Sequence, residues 1–260
     1  MMKSIAALCV AALAGACVGE LGDELGMSET QDALTSTNRL SSNRLSSNRL
    51  SSNRLSSNRL SSNSLEVQGL AATESGREVL SYIVGCALPI GQSLTIAVAG
   101  VTYTYPGWIG LAPGWATRVP TVSERRWVTS CLLSRTNVNG VPVNISMRND
   151  SNLSLVTSAA ERALYTQAEG SFYGDLFATV PVTYACSNRG WSQLSGPFRA
   201  CALSPDGHTT DCGFTYTGSC ASTTCTDKTA PFGGCKGGAT VYSEVVTIFL
   251  TPSQQTGAPE

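Results

Sequence analysis

Two stretches of the chain place apolar side chains at helical spacing behind a capping signal. In residues 120–135, PTVSERRWVTSCLLSR, Thr121 and Glu124 fit a capping box, in which hydroxyl and carboxylate each satisfy a free backbone N–H. Trp127, Val128, Cys131 and Leu132 then share one face. Residues 75–88 repeat the design, with Ser75 and Glu78 as the cap pair and Val79, Tyr82, Ile83 and Cys86 on one face. Each helix therefore shows one cysteine to the interior. The two are expected to pack together, and a Cys86–Cys131 bond would join them. Ser158 and Glu161 suggest a short third helix running to Gln167.

Period-two alternation predicts the strands. Leu94, Ile96 and Val98 alternate, and Val101, Tyr103 and Tyr105 continue in the opposite phase, a slip at Gly100 that reads as a β-bulge. After a turn at Asn139-Gly140, Val141, Val143, Ile145 and Met147 read as a strand, and Pro142 suggests a sheet edge. Residues 153–156, 176–185 and 241–250 also read as β. Residues 186–238 have little apolar periodicity but many Gly, Ser, Thr and Cys. The expected fold is α+β: two or three helices packed on an antiparallel sheet, with a disulfide-rich C-terminal part.

The first third of the chain is of a different kind. Lys3 precedes an apolar run over residues 5–16, a secretory signal too short for a permanent anchor. The run ends Leu13-Ala14-Gly15-Ala16-Cys17, which resembles a bacterial lipobox. That resemblance implies a lipid on Cys17. Val18 in the next position resembles lipoproteins sent on to the outer membrane, where the chain would be displayed at the surface. Ala14 departs from the usual Leu, so cleavage to a secreted form stays open. Residues 18–32 carry five acids and no base. A five-residue repeat, SSNRL, follows with Asn at 38, 43, 48, 53, 58 and 63 and five arginines that balance the acids. A period of five matches neither helix nor strand. It does match a rung of a square β-helix, but six repeats give barely one and a half turns, too few to bury a core. A polar tether is the plainer reading, spanning about 40 Å as a flexible coil over residues 18–64. The organisation is then signal 1–16, lipid-anchored tether 17–64, one globular domain 65–252 and a tail 253–260.

Composition adds the compartment. The 260 residues carry a formal net charge of −1, which gives no reason to expect a nucleic-acid partner. There are ten cysteines. Setting aside Cys9 in the signal and Cys17 leaves Cys86, Cys131, Cys186, Cys201, Cys212, Cys220, Cys225 and Cys235. An even count in an exported chain favours four disulfides, though eight cysteines allow about 105 pairings. There is no C-x-x-C, and His208 is the one histidine, so no metal site or cofactor is expected.

Several segments resemble an exported, lipoprotein-like family of myxobacteria-like bacteria with an Asn-x-Leu repeat tether. They are GREVLSYIVGCAL (76–88), GLAPGW (110–115), ERRWVTSCLL (124–133), GVPVNISMRND (140–150) and EGSFYGDLF (169–177). The resemblance implies a shared fold and export; it implies no activity.

Catalytic chemistry finds little support. Triads need an imidazole, and His208 sits in a turn-rich loop, PDGHTTDCG; no G-x-S-x-G, phosphate loop or dinucleotide fingerprint occurs. Gly233-Gly234-Cys235-Lys236-Gly237-Gly238 reads as a tight disulfide loop. No catalytic residue is assigned. Glu124, Glu169 and Asp175 are the carboxylates that a metal-independent polysaccharide hydrolase would use as a pair. Exposed aromatics stack on sugars, and Trp108 and Trp115, in a loop of glycines and prolines, are the candidate ligand-binding residues, with Trp191, Tyr103, Tyr105 and Tyr173 behind them. The expected role is non-catalytic binding or envelope structure, with the membrane as partner through the lipid and a cell-surface polysaccharide as candidate ligand. The hydrolase is the alternative.

Overall fold

A glycine brings the first two helices together. The computed structural model describes residues 39–40, 65–136, 144–188 and 213–256. These lie in one compact unit, Asp32–Glu260. After the short strand β1 (Arg39–Leu40), helix α1 spans Leu65–Ala71 and α2 spans Glu74–Ala87. The cap of α2 is Thr73, whose Oγ1 accepts the Gly76 N–H at 3.0 Å. The expected cap pair of Ser75 and Glu78 is thus displaced by two residues. The unforeseen α1 delivers Thr73 to the capping position and leaves Ser75 inside the first turn. A Cβ at Gly76 would run into the Leu70 carbonyl oxygen, so only glycine lets α1 end against the start of α2. Val79, Tyr82, Ile83 and Cys86 are all buried.

Strands β2 (Ser93–Val98) and β3 (Val101–Pro106) form a hairpin in which Val98 faces Val101. The phase slip at Gly100 is the hairpin turn, not a bulge. Ala99 and Gly100 both have positive φ, 50° and 79°, the geometry whose twist suits a two-residue connection. Helix α3 (Val122–Ser134) opens with the expected capping box: Thr121 Oγ1 accepts the Glu124 N–H, and Glu124 Oε2 accepts the Thr121 N–H at 2.8 Å. Val128, Cys131 and Leu132 are fully buried, and Cys131 is bonded to Cys86, which ties α3 to α2.

The remaining elements are β4 (Ile145–Arg148), α4 (Ala159–Leu164), β5 (Gln167–Asp175), β6 (Val182–Ser187), β7 (Thr215–Ser219), β8 (Cys235–Gly237), β9 (Thr240–Tyr242), β10 (Val246–Leu250) and α5 (Pro252–Thr256). Six strands make one sheet in the order β1-β4-β10-β5-β6-β7, antiparallel throughout except β6 with β7. Strand β5 lies inside it. Phe172 joins the core beneath α2 and α3, while Tyr173 joins a second cluster with Cys186, Cys220, Cys225, Cys235, Phe232 and Tyr242. Neighbouring side chains of a strand point to opposite faces. The sheet therefore has helices on one face and the stapled C-terminal part on the other. The fold is α+β, as expected.

Four strand and helix boundaries differ from the sequence reading. Residues 153–156 are not β: Leu153–Leu155 is a single 3-10 turn, and the Leu153 side chain is 91% exposed. Helix α4 stops at Leu164 because Gln167 already opens β5. Residues 176–181 connect β5 to β6, so the strand expected at 176 begins at Val182. The run 241–250 is broken between β9 and β10 by a tight turn in which the Val245 N–H reaches Ser243 O. Beyond β10, Gln254 is buried, accepts the Thr251 N–H and donates to Asn144 O, so the domain continues to α5. Cys186–Cys220 and Cys225–Cys235 are bonded. Cys17, the rest of the repeat, Asn139-Gly140, Val141, Val143, Trp191, Cys201, His208 and Cys212 lie outside the described residues.

Candidate functional site

The loop after β3 is laid across the C-terminal end of α2. The last carbonyls of a helix lack intrahelical partners. Here Trp108 and Ile109 donate to Gly85 O, Leu111 to Cys86 O and Ala112 to Ala87 O, at 2.8–3.2 Å. Those bonds fix both tryptophans. Trp115 is fully buried, edge-on to Phe177 with centroids 4.9 Å apart. It is a core side chain with no face for a ligand, which corrects its place among the binding candidates. Trp108 remains 43% exposed. Tyr103 is half-buried, with the Arg77 guanidinium 4.9 Å from its centroid; Tyr105 and Tyr173 are buried.

Beside Trp108 lies a residue that sequence reading did not single out. Arg135, the residue that ends α3, is 7% exposed. Its guanidinium carbon sits 4.6 Å from the Tyr82 ring centroid, and its Nη1 lies 3.6 Å from Cys86 Sγ. Its Nε is buried without an acceptor. Burial pushes the guanidinium down to about 10, against an opposing pull from Tyr82. Gly85 separates it from the indole: a Cβ there would be 3.4 Å from Trp108 Cδ1 and 3.7 Å from Arg135 Nη1. The only sequence signal was one arginine closing an otherwise apolar helix end.

Glu124 and Asp175 are each engaged by an arginine, and Glu169 and Asp175 stand far apart on one strand. Glu124 receives both Arg118 Nη atoms, at 2.6 and 2.7 Å, and its capping bond, and the Arg118 guanidinium holds its carboxyl below the usual range. Asp175 pairs with Arg125 at 3.0 Å and accepts the Phe177 N–H. Glu169 is buried in β5, six residues from Asp175, roughly 20 Å along an extended strand. That is far beyond the 5–10 Å a glycosidase pair spans. Glu244, which sequence reading missed, lies 3.8 Å from Arg126 Nη1 and is almost fully buried. Arg126 in turn covers Tyr242, 4.8 Å from its centroid. The adjacent Arg125 and Arg126 thus fasten the start of α3 to Asp175 and Glu244, and Ser130 Oγ adds a 2.6 Å bond to Glu244 O.

Cys186, Cys225 and Cys235 place their sulfurs within 4.8 Å of one another, with Cys186 Sγ and Cys225 Sγ 3.7 Å apart. A metal would need thiolates, and these sulfurs are spent in disulfides. A polar groove of about 640 Å³ runs between residues 149–151 and 226–233. Two of its charged groups already have partners: Asp150 pairs with Arg162 at 2.7 Å, and Lys228 Nζ donates to Cys225 O. Among the described residues no helix is long and apolar enough to cross a membrane.

Together these features define a disulfide-stapled α+β domain with an aromatic–cationic corner. The chain matches no family model, no curated protein and no solved structure.

Proposed function

We propose that this chain is an exported lipoprotein whose globular domain binds, or gives structure to, the cell envelope. A lipid on Cys17 anchors it to the outer membrane, the residues between Cys17 and β1 hold the domain off the bilayer, since β1 inside the expected tether already belongs to the sheet, and its ligand is a cell-surface polysaccharide. The observation that carries the reading is the set of buried disulfides, Cys86–Cys131, Cys186–Cys220 and Cys225–Cys235. Such bonds form and persist outside the reducing cytosol. They agree with the signal-like run ahead of Cys17. The half-exposed Trp108, held rigidly on the end of α2, offers the kind of surface on which sugar rings stack.

The test is the natively exported full chain. Intact mass should give a mature protein beginning at Cys17 with acyl groups added, and a glycan array should retain it through a saccharide ligand. A mature mass without acylation would replace the anchored form by a secreted one. Retention by no glycan would remove the polysaccharide ligand.

A further inference from the structure

We propose that Arg135, Tyr82 and Trp108 form a receptor for a carboxylate-bearing saccharide, a uronic acid unit of an acidic polysaccharide. This rests on the binding role proposed above and gives it a site and a ligand class.

Among the described residues two arginines are buried deeply, and they differ in one respect. Arg148 is 4% exposed and held by oxygen acceptors: Nε donates to Ser146 Oγ, Nη2 to the carbonyls of Glu161 and Tyr165, and Phe249 lies beneath it. Arg135 has the ring of Tyr82 and a disulfide sulfur at 3.6 Å, a feeble acceptor, while its Nε has none. No carboxylate pairs with it among the described residues. The acids of the described ion pairs, Glu124, Asp150, Asp175 and Glu244, are all matched to other arginines. The seven residues that follow Thr136 in sequence include no acid. Buried charges in folded proteins are normally paired, and a buried donor left over marks a place where a partner is missing.

The shape of the corner indicates which partner. A guanidinium edge offers parallel N–H groups that a planar two-oxygen acceptor fits, which favours a carboxylate. The indole of Trp108 and Arg135 Nη1 converge on one point beside Gly85, where a Cβ would lie in van der Waals contact with both, 3.4 Å from Cδ1 and 3.7 Å from Nη1. A pyranose uronate presents an apolar ring face and a carboxylate within one sugar unit. It would set the ring against Trp108 and the oxygens against Arg135. A peptide with a free C-terminus is the competing class, and the assay separates it.

The experiment is calorimetric titration of the full exported protein with tri-galacturonate, maltotriose, acetate and a tripeptide. Tri-galacturonate should bind, and the other three should bind at least tenfold more weakly. Arg135→Met should weaken the acidic trimer by at least tenfold. Arg135→Lys, which keeps charge but loses the fork, should restore binding only in part, and Trp108→Ala should weaken it as well. Each variant is checked by circular dichroism. Methionine fills an apolar slot without a charge, so Arg135→Met is expected to melt no lower than the parent. Should it fail to fold, the Lys and Trp108 variants decide. Unchanged affinity in the variants, acetate equal to the trimer at matched carboxylate, or tighter binding of the tripeptide would overturn the proposal. Arg135-independent glycan binding would sink this site alone. No binding of any saccharide, neutral or acidic, by the wild type would sink the polysaccharide ligand with it.

Discussion

Replacing both Cys86 and Cys131 by alanine should cost about 4 kcal/mol of stability. The bond closes a sequence separation of 45 residues, and the chain-entropy relation gives about that figure at 25 °C. For comparison, the same relation gives about 3 kcal/mol for the 10-residue separation of Cys225 and Cys235. Both sulfurs are fully buried between α2 and α3, so a void adds to the loss. A domain of this kind has about 5–15 kcal/mol in total, so the variant would retain a folded state with little margin. The assay is equilibrium urea unfolding followed by far-UV circular dichroism. The midpoint should fall, and the denaturant dependence should steepen, because an uncrosslinked unfolded chain exposes more surface. A loss below about 1 kcal/mol with an unchanged slope would refute the assignment of this bond as the main fastening between the two helices.

Three smaller perturbations test other joints. Gly76→Ala should lower the melting temperature by several degrees, since its Cβ meets the Leu70 carbonyl oxygen; an unchanged melt would mean that α1 does not turn there. Thr121→Ala should cost about 1 kcal/mol in urea unfolding through loss of the cap on α3. Glu124→Gln keeps a capping-box residue but removes the charge. Arg118 holds the Glu124 carboxyl below its ordinary value, so its contribution is present above the unfolded value near about 4.3 and fades as pH falls through the folded one. Wild type and Glu124→Gln should therefore differ at pH 7 and converge in acid; a constant gap from pH 7 to pH 2 would contradict this.

The helices were legible because their signals are local. The Thr121–Glu124 box and the 127, 128, 131, 132 face need only one helix turn or two to be read, and the two inward cysteines followed from the same periodicity. Strand β5 was not legible, because it is covered on both faces and shows no alternation for the eye to find. Gly100 was misjudged because a hairpin reversal and a bulge both reverse the phase of side chains. The candidate corner was half legible. Trp108 stood out in its loop, but Trp115 in the same loop proved to be core, and spacing alone does not distinguish them. Arg135 was invisible as a functional residue, since its significance lies in what surrounds it: a ring, a sulfur and no carboxylate among the described residues. Glu244 was missed likewise, because Arg126 finds it only across the sheet end.

Oxidative stapling is the claim on which the rest of the account stands, and non-reducing peptide mapping of the protein purified from its native source tests it most directly. The account predicts no free thiol in the globular domain and linked peptides for Cys86–Cys131, Cys186–Cys220 and Cys225–Cys235. Free thiols at those six positions, in a protein whose circular dichroism is indifferent to reductant, would contradict it.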